Sequence, residues 1–147
     1  MKKILLATNG TDHSARALAF GTDLAVKYGA EVLLLHVVKE SSVPQEIKEY
    51  ISAEEIAEPP EAVFLEIVGK NIINKCRAEC VNGGVNNIQT IVLKGDPATK
   101  IIQTAEEHEV EAIILGSHRE DALLGRLIGS VTRKVLHAAP CTCIIVK

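Results

Sequence analysis

Apolar residues gather in five short runs, Ile4 to Ala7, Val32 to Val38, Ile88 to Leu93, Ala112 to Leu115 and Cys143 to Val146, each rich in leucine or β-branched side chains. Runs of this length and composition predict buried strands. Between them the apolar spacing changes to three and four residues: Ala15, Leu18, Ala19, Thr22 and Ala25; Leu65, Val68, Ile72 and Cys76; Ala98, Ile101, Ile102 and Ala105. These segments predict helices. Asp96-Pro97 supplies a capping acceptor before a proline at a first helical position, Gly29 and Gly83-Gly84 fall where helices should stop, and the last helix should end near Pro140. Strand and helix thus alternate throughout. With right-handed crossovers, that alternation predicts one α/β domain over residues 1–147, an open parallel sheet with helices on both faces.

Residues 39–62 break the alternation, being rich in Glu, Ser and Pro and ending in Pro59-Pro60 before the second long helix. They predict a surface excursion with a short helix around Gln45 to Ile51. A solvated loop is the commoner reading of such composition, and a lid over a ligand the alternative.

Composition narrows the function classes. Aromatic residues are 3% of the chain, the net charge is −3 and the two signs are interspersed, so there is neither a basic stripe nor a set of stacking platforms for nucleic acid. Met1-Lys2-Lys3 and the apolar run after it resemble a signal start, but the polar stretch from Thr8 to Asp12 ends that run too soon. No segment approaches the length of a membrane span, and a cytoplasmic protein is expected. The four cysteines show no C-x-x-C spacing. Cys76 and Cys80 fall on a helical seam and Cys141 and Cys143 begin a strand, where a free thiol serves as a small hydrophobe, so no metal site is expected.

In open α/β sheets ligands bind beyond the carboxyl ends of the strands, where strand order reverses. The loops reaching that edge are Ala7 to Ser14, His36-Val37-Val38, Lys94-Gly95-Asp96, and Gly116-Ser117-His118-Arg119 with its continuation to Gly129-Ser130. A glycine loop between strand and helix can cradle a phosphate, because backbone amides approach the anion closely and the helix points free N–H groups at it. No G-x-G-x-x-G follows the first strand and no G-x-x-x-x-G-K-[ST] occurs, which disfavours ordinary dinucleotide and P-loop chemistry. Asp12, His13 and Ser14 are adjacent in sequence and so do not make a triad; a helix cap by Asp12 or Ser14 is the better account. His36, His108, His118 and His137 lie on different elements without ligand spacing.

Gly116, Gly129 and Ser130 fit a pattern of Gly, two residues, Gly, nine residues, Gly and Ser or Thr. The opening from Ile4 to Leu18, Leu33 to Val37, Gly95 to Ala98, Ile113 to Ser117 and Ala139-Pro140-Cys141 extend the match along the whole chain. On these residues the sequence resembles the universal stress protein family. The resemblance implies a Rossmann-like five-stranded parallel sheet of order 3-2-1-4-5, and a homodimer paired through the final strand, residues 142–146. It also implies an adenine nucleotide, ATP or else AMP or ADP, with Mg²⁺ as its companion. Carried over, Ala7, Thr8, Asn9 and Val37 would lie against the adenosine, and Gly116, Ser117, Gly129 and Ser130 would face the phosphates, with His118, Arg119 and Val131 completing the set.

Two positions depart from the family pattern. Asn9 stands where the family has an aspartate, and keeps a carbonyl acceptor for a ribose hydroxyl or adenine amine while losing the charge. Arg119 stands at the second glycine, where it could block a phosphate, pair with it, or point to solvent. The first functional reading is therefore a nucleotide-binding sensor or regulator; the second is a dimeric interaction module that has lost the nucleotide and works through a partner protein. A third, slow ATP hydrolysis, has only Asp12 and Asp121 as conceivable carboxylates.

Overall fold

The computed structural model describes residues 1–39, 43–55, 57–117 and 128–147. Every apolar run becomes a strand: β1 (Lys3–Ala7), β2 (Glu31–Val38), β3 (Ile88–Lys94), β4 (Ala112–Gly116) and β5 (Thr142–Val146). The strands pair in parallel in the order β3-β2-β1-β4-β5, as the family resemblance implies. Around them lie α1 (Asp12–Tyr28), α2 (Gln45–Ala53), α3 (Pro60–Phe64), α4 (Lys70–Asn82), α5 (Pro97–Glu107) and α6 (Ser130–Ala138). A π-helical turn, Leu65–Gly69, joins α3 to α4.

Successive strand residues point to opposite faces, and both faces are covered. Ile4 and Leu6 join Val32, Leu34, Ala112 and Ile114 beneath α1 and α4. Leu5 joins Leu33, Leu35, Ile113 and Leu115 beneath α5 and α6. Each fully buried Leu or Ile here contributes on the order of 1.5–3 kcal/mol. This double burial explains why the strands read as unbroken apolar runs.

The helix ends follow local chemistry. Gly29 closes α1 in the left-handed region at φ 61°, donating its N–H to the carbonyls of Ala25 and Val26. At the start of α1 the expected cap by Asp12 or Ser14 does not form. Thr11 is the capping residue and makes no side-chain capping bond. The Ser14 hydroxyl instead donates back to the Thr11 carbonyl at 2.8 Å, while Asp12 sits in the first turn, where the helix dipole favours a negative charge. The buried face of α1 is Ser14, Ala17, Leu18, Gly21, Thr22 and Ala25, and the expected Ala15 and Ala19 are exposed.

Asp96 caps α5 as the sequence predicts, its carboxylate accepting the Thr99 N–H at 3.0 Å and the Thr99 hydroxyl at 2.8 Å. Those two donors hold its pKa below the usual carboxylate value. A lowered folded-state pKa stabilises above the ordinary carboxylate range, and that stability is lost as the pH falls through the lowered value. Asp96→Ala should therefore cost about 1 kcal/mol near neutral pH and progressively less in acid, whereas Asp96→Asn, which keeps an acceptor, should cost little. Urea melts from about pH 7 to about pH 2 would check this.

Candidate functional site

Chain order reverses between β1 and β4, and a cleft of about 560 Å³ opens there, beyond the carboxyl ends of the strands. Its floor is the ends of β1, β2 and β4; Phe64, Val68 and Ile72 form one wall, and Pro97, Ile101 and the first turn of α6 form the other. Of the residues expected from sequence, Ala7, Thr8, Asn9, Val37, Gly116, Gly129, Ser130 and Val131 line this cleft. Ser117 does not; its N–H donates to the Val146 carbonyl at 2.8 Å and continues the sheet ladder. His118 and Arg119 lie outside the described residues.

The loop after β1 is held by its own side chains. Thr8 Oγ1 accepts the Gly10 N–H at 3.2 Å, donates to Ser14 Oγ at 3.1 Å and lies 3.6 Å from Cys76 Sγ on α4. Asn9 Oδ1 accepts both the Thr11 N–H at 3.1 Å and the Thr11 hydroxyl at 2.6 Å. A carbonyl oxygen has two lone pairs, and both are engaged. The acceptor that Asn9 was expected to offer a ligand is spent on the loop, and its amide keeps only donors for the cleft.

Gly116 has a steric role. A Cβ there would run into the carbonyl oxygen of His13, in the first turn of α1. The absence of a side chain lets α1 start directly over the end of β4, which brings Thr11, His13 and Ser14 to the cleft wall.

Across the cleft, Gly129 caps α6 with extended backbone, φ −55° and ψ 155°, and no side-chain capping bond. The first backbone bond of α6 comes from Arg133 N–H to the Gly129 carbonyl, so the N–H groups of Ser130, Val131 and Thr132 have no intrahelical acceptor. Donors without an intrahelical acceptor at the positive end of a helix dipole suit an anion.

Several lining residues were not read as site residues from sequence. Phe64, Val68 and Ile72 follow a spacing of four that the π turn brings over the cleft. His36, on β2, is only 7% exposed, and its Nδ1 lies 2.8 Å from the Thr8 carbonyl. A carbonyl only accepts, so the ring donates from Nδ1. No residue spacing announces a partnership with a backbone carbonyl in the loop after another strand.

All four cysteines are free. Burial pushes the thiols of Cys76 and Cys80 up, against an opposing hydrogen bond from Thr8 and Thr22 respectively. Among the described residues no three or more His, Cys, Asp or Glu side chains are grouped to hold a metal, and no helix is long and apolar enough to cross a membrane.

The model of the universal stress protein family matches residues 1–147. The chain belongs to the universal stress protein family. It is 32% identical over 151 residues to the universal stress protein YxiE of Bacillus subtilis, covering 99% of this chain and 98% of that one. The solved structure of MJ0577, from Methanocaldococcus jannaschii, superposes with a TM-score of 0.78 at 30% identity, covering 99% of this chain and 95% of that one. A universal stress protein of Archaeoglobus fulgidus solved in complex with dAMP shares the fold, with a TM-score of 0.63, 20% identity and coverage of 100% and 98%.

Proposed function

We propose that this universal stress protein binds an adenine nucleotide, ATP foremost, in the cleft between β1 and β4, and acts as a nucleotide-dependent regulator of the stress response. The observation that carries the reading is the N-terminus of α6, with no side-chain cap, at a cleft whose far end holds Val37 and Phe64 beside His36 and Lys39. Adjacent strands lie about 4.8 Å apart, so β2 and β4, with β1 between them, are separated by about 10 Å. That separation suits a nucleotide with its phosphates at Gly129-Ser130 and its base at the end of β2. Ala7, Thr8, Asn9 and Val37 would then border the adenosine, and Gly116 and Val131 the phosphate side, while His118 and Arg119, outside the described residues, stay candidates from the family pattern alone. The bound dAMP of the Archaeoglobus relative supports the ligand class.

Mg²⁺, where present, would arrive on the phosphates, because no described cleft residue is a carboxylate. Of the two carboxylates considered for hydrolysis, Asp12 does not line the cleft and Asp121 lies outside the described residues. Among the described residues β5 ends the sheet order with one edge unpaired, and we place the homodimer contact there, with a protein partner reading the nucleotide state in the cytoplasm. Calorimetry with ATP and Mg²⁺ should show one site per chain with a dissociation constant between about 1 μM and 1 mM. No heat at several millimolar ATP would sink the proposal.

A further inference from the structure

Four lysines gather at one corner of the carboxyl edge of the sheet, beside the cleft. The Gly95 N–H donates to the Val38 carbonyl at 3.0 Å, which sets the turn after β3 against the end of β2 and brings Lys39 beside Lys94 and Asp96. Lys100 comes back along that turn, since a Cβ on Gly95 would meet its Cε at 3.1 Å. From α6, Lys134 Nζ reaches Asp96 Oδ1 at 4.0 Å. The Thr99 donors lead in lowering the Asp96 pKa, and Lys134 and then Lys39 add to it. Lys39, Lys94 and Lys134 are exposed, and Lys100 is half-buried.

Folding does not account for this corner. The Asp96–Lys134 pair is exposed and so contributes little to stability, while like charges crowded into one place repel one another. Asp96 meets them with a single carboxylate, one oxygen of which already serves Thr99. On a chain of net charge −3, a cationic corner concentrates the attraction for anions in a small area. A duplex or a membrane is a wide negative surface that would also meet the exposed carboxylates elsewhere on the chain, and none of these corner residues is an aromatic on which a base could stack. A short acidic stretch of polypeptide fits instead. We propose that Lys39, Lys94, Lys100 and Lys134 form a docking surface for an acidic segment of a partner protein. Lys39 also lines the cleft, so a segment held there borders its mouth. The inference gives the chemistry of the protein partner proposed above and does not depend on the nucleotide.

The test titrates the full chain against a short fluorescent oligoglutamate peptide at about 0.01 M and about 0.15 M salt. Binding is expected at the lower salt and should weaken several-fold at the higher. Lys94→Gln with Lys100→Gln, two positions outside the cleft lining, should lower peptide affinity at least about tenfold. Lys134→Gln, which alters neither β3 nor α5, is a second variant and should cost about threefold. Lys27→Gln with Lys75→Gln, exposed on α1 and α4 over the opposite face of the sheet, changes the net charge equally and should keep the affinity within about twofold. Equal weakening in the two double variants would show a response to net charge alone and overturn the inference. So would the absence of peptide binding at the lower salt, or tighter binding of duplex DNA or phosphatidylserine vesicles than of the peptide. A wild type that binds the peptide but not ATP would leave this inference standing and remove the nucleotide reading.

Discussion

Gly116→Ala is expected to destabilise the protein by about 2–4 kcal/mol, the largest stability effect predicted for any substitution in the cleft. The added methyl meets the His13 carbonyl oxygen and carbon and Ser14 Cα, all of them backbone in the first turn of α1. A flexible side chain could swing aside, but a helix backbone cannot without moving the helix. α1 is seated by Ala17, Leu18 and Ala25 in the core it shares with β1 and α4, so shifting its start disturbs packing well beyond the loop. For a chain of 147 residues, such a loss lowers the melting temperature by roughly 4–16 °C. Thermal melts of the two proteins decide the matter, and a variant that melts within about 1 °C of wild type would show that α1 is not tightly seated on β4.

Gly129→Asp is expected to lower ATP affinity by at least about a hundredfold while leaving the melting temperature unchanged or raised. The backbone at position 129, φ −55° and ψ 155°, is open to any residue, and aspartate is among the best helix caps. Its carboxylate would accept the N–H groups that now face the cleft and put a negative charge where a phosphate is proposed. Loss of those donors and repulsion between like charges act in the same direction. Calorimetry beside a thermal melt separates this from unfolding. A stable variant with wild-type affinity would move the phosphates away from α6.

The strand plan was legible in the sequence because both faces of the sheet are buried. The central strands β1 and β4 are apolar and buried along most of their length, the outer β3 carries exposed Gln89 and Thr90, and the expected strand ends still fall within one residue of the observed ones. The face of α1 was less legible because its buried stripe includes Ser14, Gly21 and Thr22, small residues that carry little hydrophobic signal beside the exposed Ala15 and Ala19. In the helical stretch before β3, the π turn at Leu65–Gly69 alters the helical register. Ile73, Cys76 and Cys80 take the core, and Phe64, Val68 and Ile72 are released to wall the cleft.

The glycine and loop positions that line the cleft could be read from the family spacing and from the loops' place at the carboxyl edge of the sheet. Asn9 and His36 could not, since their roles depend on where a backbone donor and a backbone carbonyl fall in space. Asn9 turned from an expected acceptor into a loop clamp, and His36 from a strand histidine without ligand spacing into one tied to the Thr8 carbonyl.

The central claim is that the cleft between β1 and β4 holds an adenine nucleotide with its phosphates on α6 and its base at the end of β2. Crystals of the protein soaked with ATP and Mg²⁺ at several millimolar address it directly. Density for the triphosphate at the N–H groups of Ser130, Val131 and Thr132, with the purine beside Val37 and His36, is the predicted result. An empty cleft at that concentration, or a nucleotide bound elsewhere on the molecule, would contradict it.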